Sequence, residues 1–259
     1  MEQALLTNRI KKMVASLGDA KGRREHGCFM AEGTKCVLDT MEAFDCLYLM
    51  ATRQWLSTHT KRPHSGEVMA VTSAEISRMS QLRTPQDVIA VYRIPQAEFD
   101  PSSLDDKLVL ALDSIQDPGN LGTIIRVADW FGIDMVLCSR TTADVYNPKV
   151  VQATMGAISR VRTVYCDLPS VIASVRTELP VYGTFLDGES IYDAELSHKG
   201  IIVMGNEGNG VSAEVGAMID RRLLIPSYPV GAVTSESLNV AMATGITLAE
   251  FRRRMIPLQ

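Results

Sequence analysis

Residues 108–138, LVLALDSIQDPGNLGTIIRVADWFGIDMVLC, contain the most regular pattern in the sequence. The first five residues form a continuous apolar run, and Pro118-Gly119 then marks a turn. A helix is predicted next, because apolar residues recur at helical spacing: Leu121, Ile124, Ile125, Ala128 and Phe131. The run MVLC (135–138) is typical of a second buried strand. Two continuous apolar strands joined by an amphipathic helix predict a parallel βαβ unit with both faces covered.

The same alternation continues to the end of the chain. Further strand-like runs are RTVYC (162–166), VYGTFL (181–186), IIVMG (201–205) and RLLIP (222–226), and a last helix is predicted from about Asn239 to Arg254. These elements predict an α/β fold with a mostly parallel sheet over residues 108–259.

The first part of the chain has its own, weaker alternation. A helical apolar pattern over residues 6–17 is followed by four short apolar runs, CFMA, CLYLMA, EVMAV and VIAVY, and Thr72 and Glu75 form a capping-box pattern. We therefore expect a small α/β domain over residues 1–95. The turn-rich, acidic residues 96–107 are predicted to be a linker to the second domain.

Composition sets the broad class of the protein. The 259 residues are 46% hydrophobic and 22% charged, and no apolar run approaches the roughly 20 residues of a membrane span. The N-terminus lacks the apolar core of a signal peptide, the five cysteines are scattered, and the four histidines have no metal-ligand spacing. We expect a cytoplasmic protein with reduced cysteines, no membrane segment and no metal.

The charge distribution is uneven, although the net charge is only −4. Residues 9–24 form a strongly basic segment. This basic segment contains a single acidic residue, Asp19, and six cations: Arg9, Lys11, Lys12, Lys21, Arg23 and Arg24. Such a segment is either a solvated helix face or a surface that binds a phosphate backbone. Taken alone, the segment leaves both interpretations open.

Ligands of parallel α/β sheets bind beyond the carboxyl ends of the strands, which predicts a site at the loops after Leu112, Met204 and Pro226. In the first loop Asn120 is a predicted helix N-cap, and Arg126 points away from the apolar stripe of the helix. Arg126 is then either an ordinary surface arginine, paired with Asp129 one turn later, or a residue presented for function.

The other two loops are also rich in polar and small residues. The loop MGNEGNGVS (204–212) has neither the glycine spacing of a dinucleotide site nor the lysine of a P-loop, and Glu207 would repel a phosphate. It therefore suits a neutral or cationic ligand. The third stretch, IPSYPVGAVTSESLNVAMATGI (225–246), places Ser235, Ser237 and Asn239 at a helix N-terminus, which is more than capping requires.

With these three motifs in order, the chain resembles the SpoU/TrmH-type RNA ribose 2′-O-methyltransferases of the SPOUT class. NPKVVQATMGAISRV (147–161) is similar to the intervening segment of that family, and FMAEGTKCVLDTM (29–41) looks like its small substrate-binding domain. The resemblance implies a C-terminal trefoil knot, a homodimer and S-adenosylmethionine as cofactor. It implies cofactor contacts from Gly205, Ile225, Pro226 and Leu238. It implies a catalytic group of Asn120, Arg126, Glu207, Ser237 and Asn239.

Methyl transfer to a ribose hydroxyl requires alignment of oxygen, methyl group and sulfur, and removal of one proton. Because the pKa of arginine exceeds about 12, Arg126 is a poor base. We expect it instead to grip the phosphate beside the target ribose. The basic segment at 9–24 then becomes the expected RNA contact, with ribosomal RNA favoured over transfer RNA. The alternatives are a transfer-RNA ribose methyltransferase and a non-catalytic RNA-binding or ribosome-assembly protein; an oxidoreductase or NTPase lacks its motifs.

Overall fold

The computed structural model describes residues 5–96, 99–229 and 235–255. The chain divides into two compact units. Unit 1 consists of Met1–Ala97 and Asp144–Arg160, and unit 2 consists of Glu98–Ala143 and Val161–Gln259. Residues 144–160, which the sequence analysis placed in the second domain, therefore belong with the first unit in the structure.

The ten strands and ten α-helices of the described residues follow one another with short connections. The strands are β1 (Cys28–Glu32), β2 (Cys46–Thr52), β3 (Glu67–Val71), β4 (Val88–Arg93), β5 (Leu108–Asp113), β6 (Met135–Ser139), β7 (Arg162–Cys166), β8 (Val181–Ser190), β9 (Gly200–Gly205) and β10 (Arg221–Leu224). The helices are α1 (Asn8–Ser16), α2 (Ala20–His26), α3 (Thr34–Thr40), α4 (Arg53–Thr58), α5 (Ser73–Met79), α6 (Pro118–Trp130), α7 (Pro148–Ala153), α8 (Leu168–Val175), α9 (Ala213–Gly216) and α10 (Val240–Arg253).

Unit 1 is built on a four-stranded sheet of order β1-β4-β2-β3. Strand β4 runs antiparallel to both of its neighbours, and β2 and β3 are parallel. Apolar residues of α1 and α5 pack on one face of this sheet, with Val14, Leu17, Ile76 and Met79 buried among strand residues. The capping box predicted at Thr72 is present and begins α5.

Unit 2 is built on a six-stranded sheet of order β10-β8-β9-β5-β6-β7, in which every neighbouring pair is parallel. All six strands predicted from the apolar runs are present. The central strand β5 is buried along its whole length, because helices cover both faces of the sheet. The predicted α/β fold with a mostly parallel sheet and a preceding small α/β unit is confirmed.

The parallel order brings the carboxyl ends of β5, β9 and β10 to one edge of the unit 2 sheet. Helix α6 starts at this edge, and its N-cap is Asp117, whose carboxylate accepts a hydrogen bond of 2.8 Å from the backbone N–H of Asn120. The prediction that Asn120 caps the helix was wrong, since Asn120 is the third helical residue and its side chain is free for other partners. Helix α10, capped by Asn239, packs against α6.

The predicted linker contains a short 3-10 helix, Pro101–Leu104, and Leu104 is buried in the core of unit 2. Among the described residues, no helix combines the length and the apolar character needed to cross a membrane. The same residues contain no group of three or more histidine, cysteine or acidic side chains placed to hold a metal ion. The trefoil knot remains a prediction, and residues 230–234 of the loop before α10 lie outside the described residues.

Candidate functional site

Three polar side chains from the three predicted motifs are hydrogen-bonded to one another. The side-chain amide of Asn120, on α6, donates to Glu207 in the loop after β9. The amide of Asn239, at the start of α10, donates to the side-chain oxygen of Asn120 at 3.0 Å. Asn120 therefore links its own loop to the other two. Glu207 and Asn239 are 87 and 119 residues away from Asn120 in the sequence.

Asparagine suits both positions because one amide group can donate and accept at the same time. The oxygen of Asn239 accepts the backbone N–H groups of Ala241 and Met242 at 3.0 and 3.3 Å, which leaves its NH₂ group to donate to Asn120. An aspartate could cap the helix, but its ionised carboxylate could not also donate to Asn120. The pattern explains why both positions carry asparagine.

The loop that carries Glu207 is held by a residue that the sequence analysis did not select. Asn206 donates to the backbone oxygen of Ser114 at 2.8 Å, and its side-chain oxygen accepts the backbone N–H groups of Gly208 and Asn209 at 2.9 and 3.0 Å. The first bond ties the loop after β9 to the loop after β5, and the other two fix the shape of the loop after β9 itself. Asn206 thereby places Glu207 where Asn120 can reach it.

A buried carboxylate reinforces the same two loops. Asp113, the last residue of β5, is 5% exposed, and it accepts the backbone N–H of Ser212 at 2.8 Å. Gly205 lies so close to the returning chain that a Cβ atom there would be 2.3 Å from the backbone of Gly210, and only glycine fits. Asp113 is the last residue of β5, and Asn206 directly follows β9. Because each lies at the end of an apolar run, both could have been identified from the sequence as candidate site residues.

A cavity of about 450 Å³ opens beside this network. It is lined by parts of β8, β9, β10, the loops that follow β9 and β10, and the start of α10. Five of the site residues predicted from the sequence line this cavity: Gly205, Glu207, Ile225, Ser237 and Leu238. Predicted contact Pro226 follows Ile225 directly but is not among the lining residues. The volume and the mostly apolar walls are typical of a site for a small molecule.

Arg126 lies on the exposed side of α6 and is not among the residues that line the cavity. Within residues 5–96, 99–229 and 235–255 no hydrogen bond or ion pair is recorded for its guanidinium, including the expected pair with Asp129. The arrangement does not bring Arg126 into the Asn120–Glu207–Asn239 network. Its guanidinium is therefore available to a ligand that approaches from solvent.

The basic segment of unit 1 does not form a uniform cationic surface. Arg23 is only 2% exposed; it forms hydrogen bonds of 2.7 and 2.8 Å to Asp144 and donates to the backbone oxygens of Leu17 and Gly18. The prediction of an RNA contact at Arg23 therefore requires correction, because its donors are used to hold α2 within unit 1. A buried guanidinium satisfied in this way is structural.

The remaining cations of the segment divide into two kinds. Lys11 forms a 2.8 Å ion pair with Glu75 of α5, and this bond lowers the pKa of the Glu75 carboxyl to about 2. The others are exposed and without such a partner among the described residues: Arg9, Lys12, Lys21 and Arg24. An RNA contact at these four exposed cations stays a prediction, and Lys11 would have to leave Glu75 to bind a phosphate.

The sequence models of two families match this chain. The sequence model of the SpoU rRNA Methylase family matches residues 107–249, and that of the MRM3-like substrate binding domain matches residues 7–90. A 23S rRNA (guanosine(2553)-2′-O)-methyltransferase, RlmP, from Bacillus subtilis is 35% identical over 178 residues, 68% of each chain.

Two solved structures are similar over nearly the whole chain. A protein from Porphyromonas gingivalis assigned to the TrmH family of RNA methyltransferases superposes with a TM-score of 0.88 at 42% identity, covering 97% of this chain and 100% of that one. An rRNA methyltransferase from Sinorhizobium meliloti with bound AdoMet has a TM-score of 0.84 at 30% identity, covering 98% and 97% of the two chains.

Proposed function

Because the chain belongs to the SpoU rRNA Methylase family, we propose that it transfers a methyl group from S-adenosylmethionine to a ribose 2′-hydroxyl of ribosomal RNA. The protein is an RNA methyltransferase. The observation that carries the proposal is the hydrogen-bonded group Asn120, Glu207 and Asn239, which joins three loops beside a cavity of small-molecule size. A protein that only bound RNA would not need these side chains in this arrangement.

The cavity fits the proposed cofactor in size and in chemistry. Its volume of about 450 Å³ lies within the range of sites for small organic ligands, and its apolar walls include Leu223, Leu238 and Val240. Backbone groups of Gly205 and Ile225 and the side chain of Leu238 would hold the adenosine moiety. When bound, S-adenosylmethionine supplies an electrophilic methyl group on a positively charged sulfur.

The residues of this chain would act mainly by positioning. The guanidinium of Arg126 would form a bidentate hydrogen bond to the phosphate beside the target ribose and orient the 2′-hydroxyl. The amides of Asn120 and Asn239, Glu207, and the hydroxyl of Ser237 would hold the ribose in place. The proton of the hydroxyl would leave to solvent, since Arg126 remains protonated.

RNA binding is assigned to unit 1. Its exposed cations Arg9, Lys12, Lys21 and Arg24 would neutralise phosphates, which an acidic protein needs as a local attraction for RNA. The match of residues 7–90 to a substrate binding domain supports this assignment. Ribosomal RNA is proposed over transfer RNA because RlmP and the Sinorhizobium meliloti protein are both named as rRNA methyltransferases.

A homodimer and a cytoplasmic location complete the proposal. Trp130 on α6 is 84% exposed and Met242 on α10 is 61% exposed, and the two helices pack together in unit 2. Large apolar side chains on adjacent exposed helices are typical of a surface that a second copy covers. A cytoplasmic location is proposed together with the ribosomal substrate.

A methyl-transfer assay tests the proposal. The purified chain would be incubated with radiolabelled S-adenosylmethionine and either ribosomal or transfer RNA, and the product site would be located by resistance of the ribose linkage to alkaline cleavage. We expect label in ribosomal RNA at a single 2′-oxygen. Binding of RNA and cofactor without any transfer would contradict the catalytic assignment and favour the RNA-binding alternative.

A further inference from the structure

The cavity of unit 2 carries an uncompensated negative charge. Among its described lining residues, the charged side chains are two carboxylates, Glu207 and Glu236, and there is no lysine, arginine or histidine. Residues 230–234, which lie outside the described residues, read VGAVT and contain no ionisable side chain. Glu236 was not selected by the sequence analysis and is not needed for the hydrogen-bonded network.

The cation beside the cavity is already neutralised. Arg222 does not line the cavity; its guanidinium stacks 3.5 Å from the ring centroid of the lining residue Phe185 and pairs with Asp187. Its charge is therefore balanced by the carboxylate of Asp187. Arg222 therefore does not neutralise the two glutamates of the cavity.

We infer that Glu236, assisted by Glu207, makes this cavity select the cationic methyl donor over its neutral demethylated product. The inference rests on the proposed function. It adds a specificity-determining role to a residue that the methyl-transfer chemistry does not require. Its consequence is a built-in preference for fresh cofactor and faster release of the spent one.

The charge balance of the reaction gives the physical reason. S-adenosylmethionine carries a sulfonium and an ammonium cation and one carboxylate, and so has a net charge of +1. In the transfer the methyl–sulfur bond breaks with both electrons left on sulfur, the methyl–oxygen bond forms, and the hydroxyl proton leaves to solvent. The product S-adenosylhomocysteine is neutral overall. Its adenine, ribose and amino-acid parts are unchanged, so apolar wall contacts cannot separate the two.

Carboxylates at the cavity wall can distinguish the methyl donor from its product, because their Coulomb energy with the ligand changes when the sulfonium charge is lost. The effect is moderate, since both glutamates are exposed and solvent and salt screen them. Glu236 is the sharper residue to test. Among the described residues it makes no hydrogen bond or ion pair, so removing its charge breaks no bond of the fold.

Isothermal titration calorimetry on the full chain tests the inference with three ligands. These are S-adenosylmethionine, S-adenosylhomocysteine, and sinefungin, which carries a protonated amine in place of the methyl sulfonium. In the Glu236→Gln variant we expect binding of the two cationic ligands to weaken by about 3- to 10-fold, with binding of the neutral one changed by less than about 2-fold. Glu214→Gln, the same one-charge change at an exposed residue of α9 that does not line the cavity, is the matched control and should leave all three constants unchanged.

Ionic strength provides a second readout. The preference of the wild type for S-adenosylmethionine over S-adenosylhomocysteine should fall as salt rises, and it should fall less in Glu236→Gln. An equal change for all three ligands, or no change, would overturn the inference while leaving the proposed function intact. Failure of the wild type to bind S-adenosylmethionine at all would overturn both.

Discussion

The polar residues of two regions are held in opposite ways. At the edge of the unit 2 sheet, Asn120, Glu207 and Asn239 come from three distant segments and bond to one another, although all are solvent-accessible. In the basic segment of unit 1, neighbours in sequence are separated: Arg23 is buried and Lys11 is paired with Glu75.

The difference follows from the elements that carry these residues. Carboxyl ends of parallel strands lie at a common edge, so side chains that follow them converge whatever their separation in sequence. Successive residues of a helix point in different directions around its axis, so the six cations on α1 and α2 do not all face one ligand together. Convergence at strand ends is therefore a better guide to a site than density of charge along a helix.

The largest effect that would sharpen this comparison is expected at Arg126. Arg126→Ala should reduce kcat/KM for methyl transfer by about 100- to 1,000-fold, because a positioned charged donor is lost, with no change in the unfolding midpoint. Steady-state kinetics and thermal unfolding check both parts. Lys199→Ala, which removes a partly exposed cation directly before β9, is the control for loss of a positive charge away from α6. Near wild-type transfer by Arg126→Lys would refute the bidentate positioning role.

Arg23→Ala should have its effect on stability. Loss of four hydrogen bonds, two of them to an ionised partner, should lower the free energy of unfolding by about 2–3 kcal/mol, measured by urea denaturation. RNA affinity of the folded protein should remain. An unchanged unfolding free energy with weakened RNA binding would restore Arg23 as a substrate contact and break the comparison.

Asn206→Ala tests whether the network depends on its supporting loop. We expect kcat to fall about 10-fold and the free energy of unfolding by about 1 kcal/mol, because two backbone N–H groups lose their acceptor. Asn206→Asp keeps that acceptor and should recover part of the activity. If both variants had wild-type kcat, the loop after β9 would not need Asn206 to place Glu207.

Lys12 and Arg24 test the exposed part of the basic segment. The double variant Lys12→Ala/Arg24→Ala should weaken RNA binding by about 3- to 10-fold and lower the slope of affinity against salt concentration, since fewer phosphates are neutralised. Filter binding at several salt concentrations measures both. An unchanged salt slope would place the RNA surface of unit 1 elsewhere.

The smallest effect is expected at the Lys11–Glu75 pair. Its carboxyl has a pKa lowered from 4.5 to about 2 by the lysine, so the pair stabilises the fold fully above about pH 4.5 and loses that contribution as the pH falls towards 2. The difference in melting temperature between wild type and Glu75→Gln should therefore shrink over this range. Glu75→Gln should also raise RNA affinity about 2-fold at neutral pH, as Lys11 is released. A constant difference in melting temperature would contradict the pairing.

Much of the fold could be predicted because the apolar pattern of each strand reports its burial directly. LVLAL at β5 and IIVMG at β9 are continuous apolar runs, and both became buried strands of the parallel sheet. The cap of α6 was less predictable, since Asp117 and Asn120 both suit an N-cap and only the backbone path chooses between them. The local sequence pattern of residues 144–160 does not indicate that they pack with unit 1.

The sequence alone determined the succession of strands and helices, the three polar loops and the family resemblance, because these depend on local spacing of residue types. Only the tertiary structure decided which polar groups meet. Asn120 bridges Glu207 and Asn239, and Asn206 supports their loop. The guanidinium of Arg23 forms its hydrogen bonds inside unit 1. Hydrogen bonds and burial depend on positions in space, and residues far apart in a chain acquire those positions only when the sheet assembles.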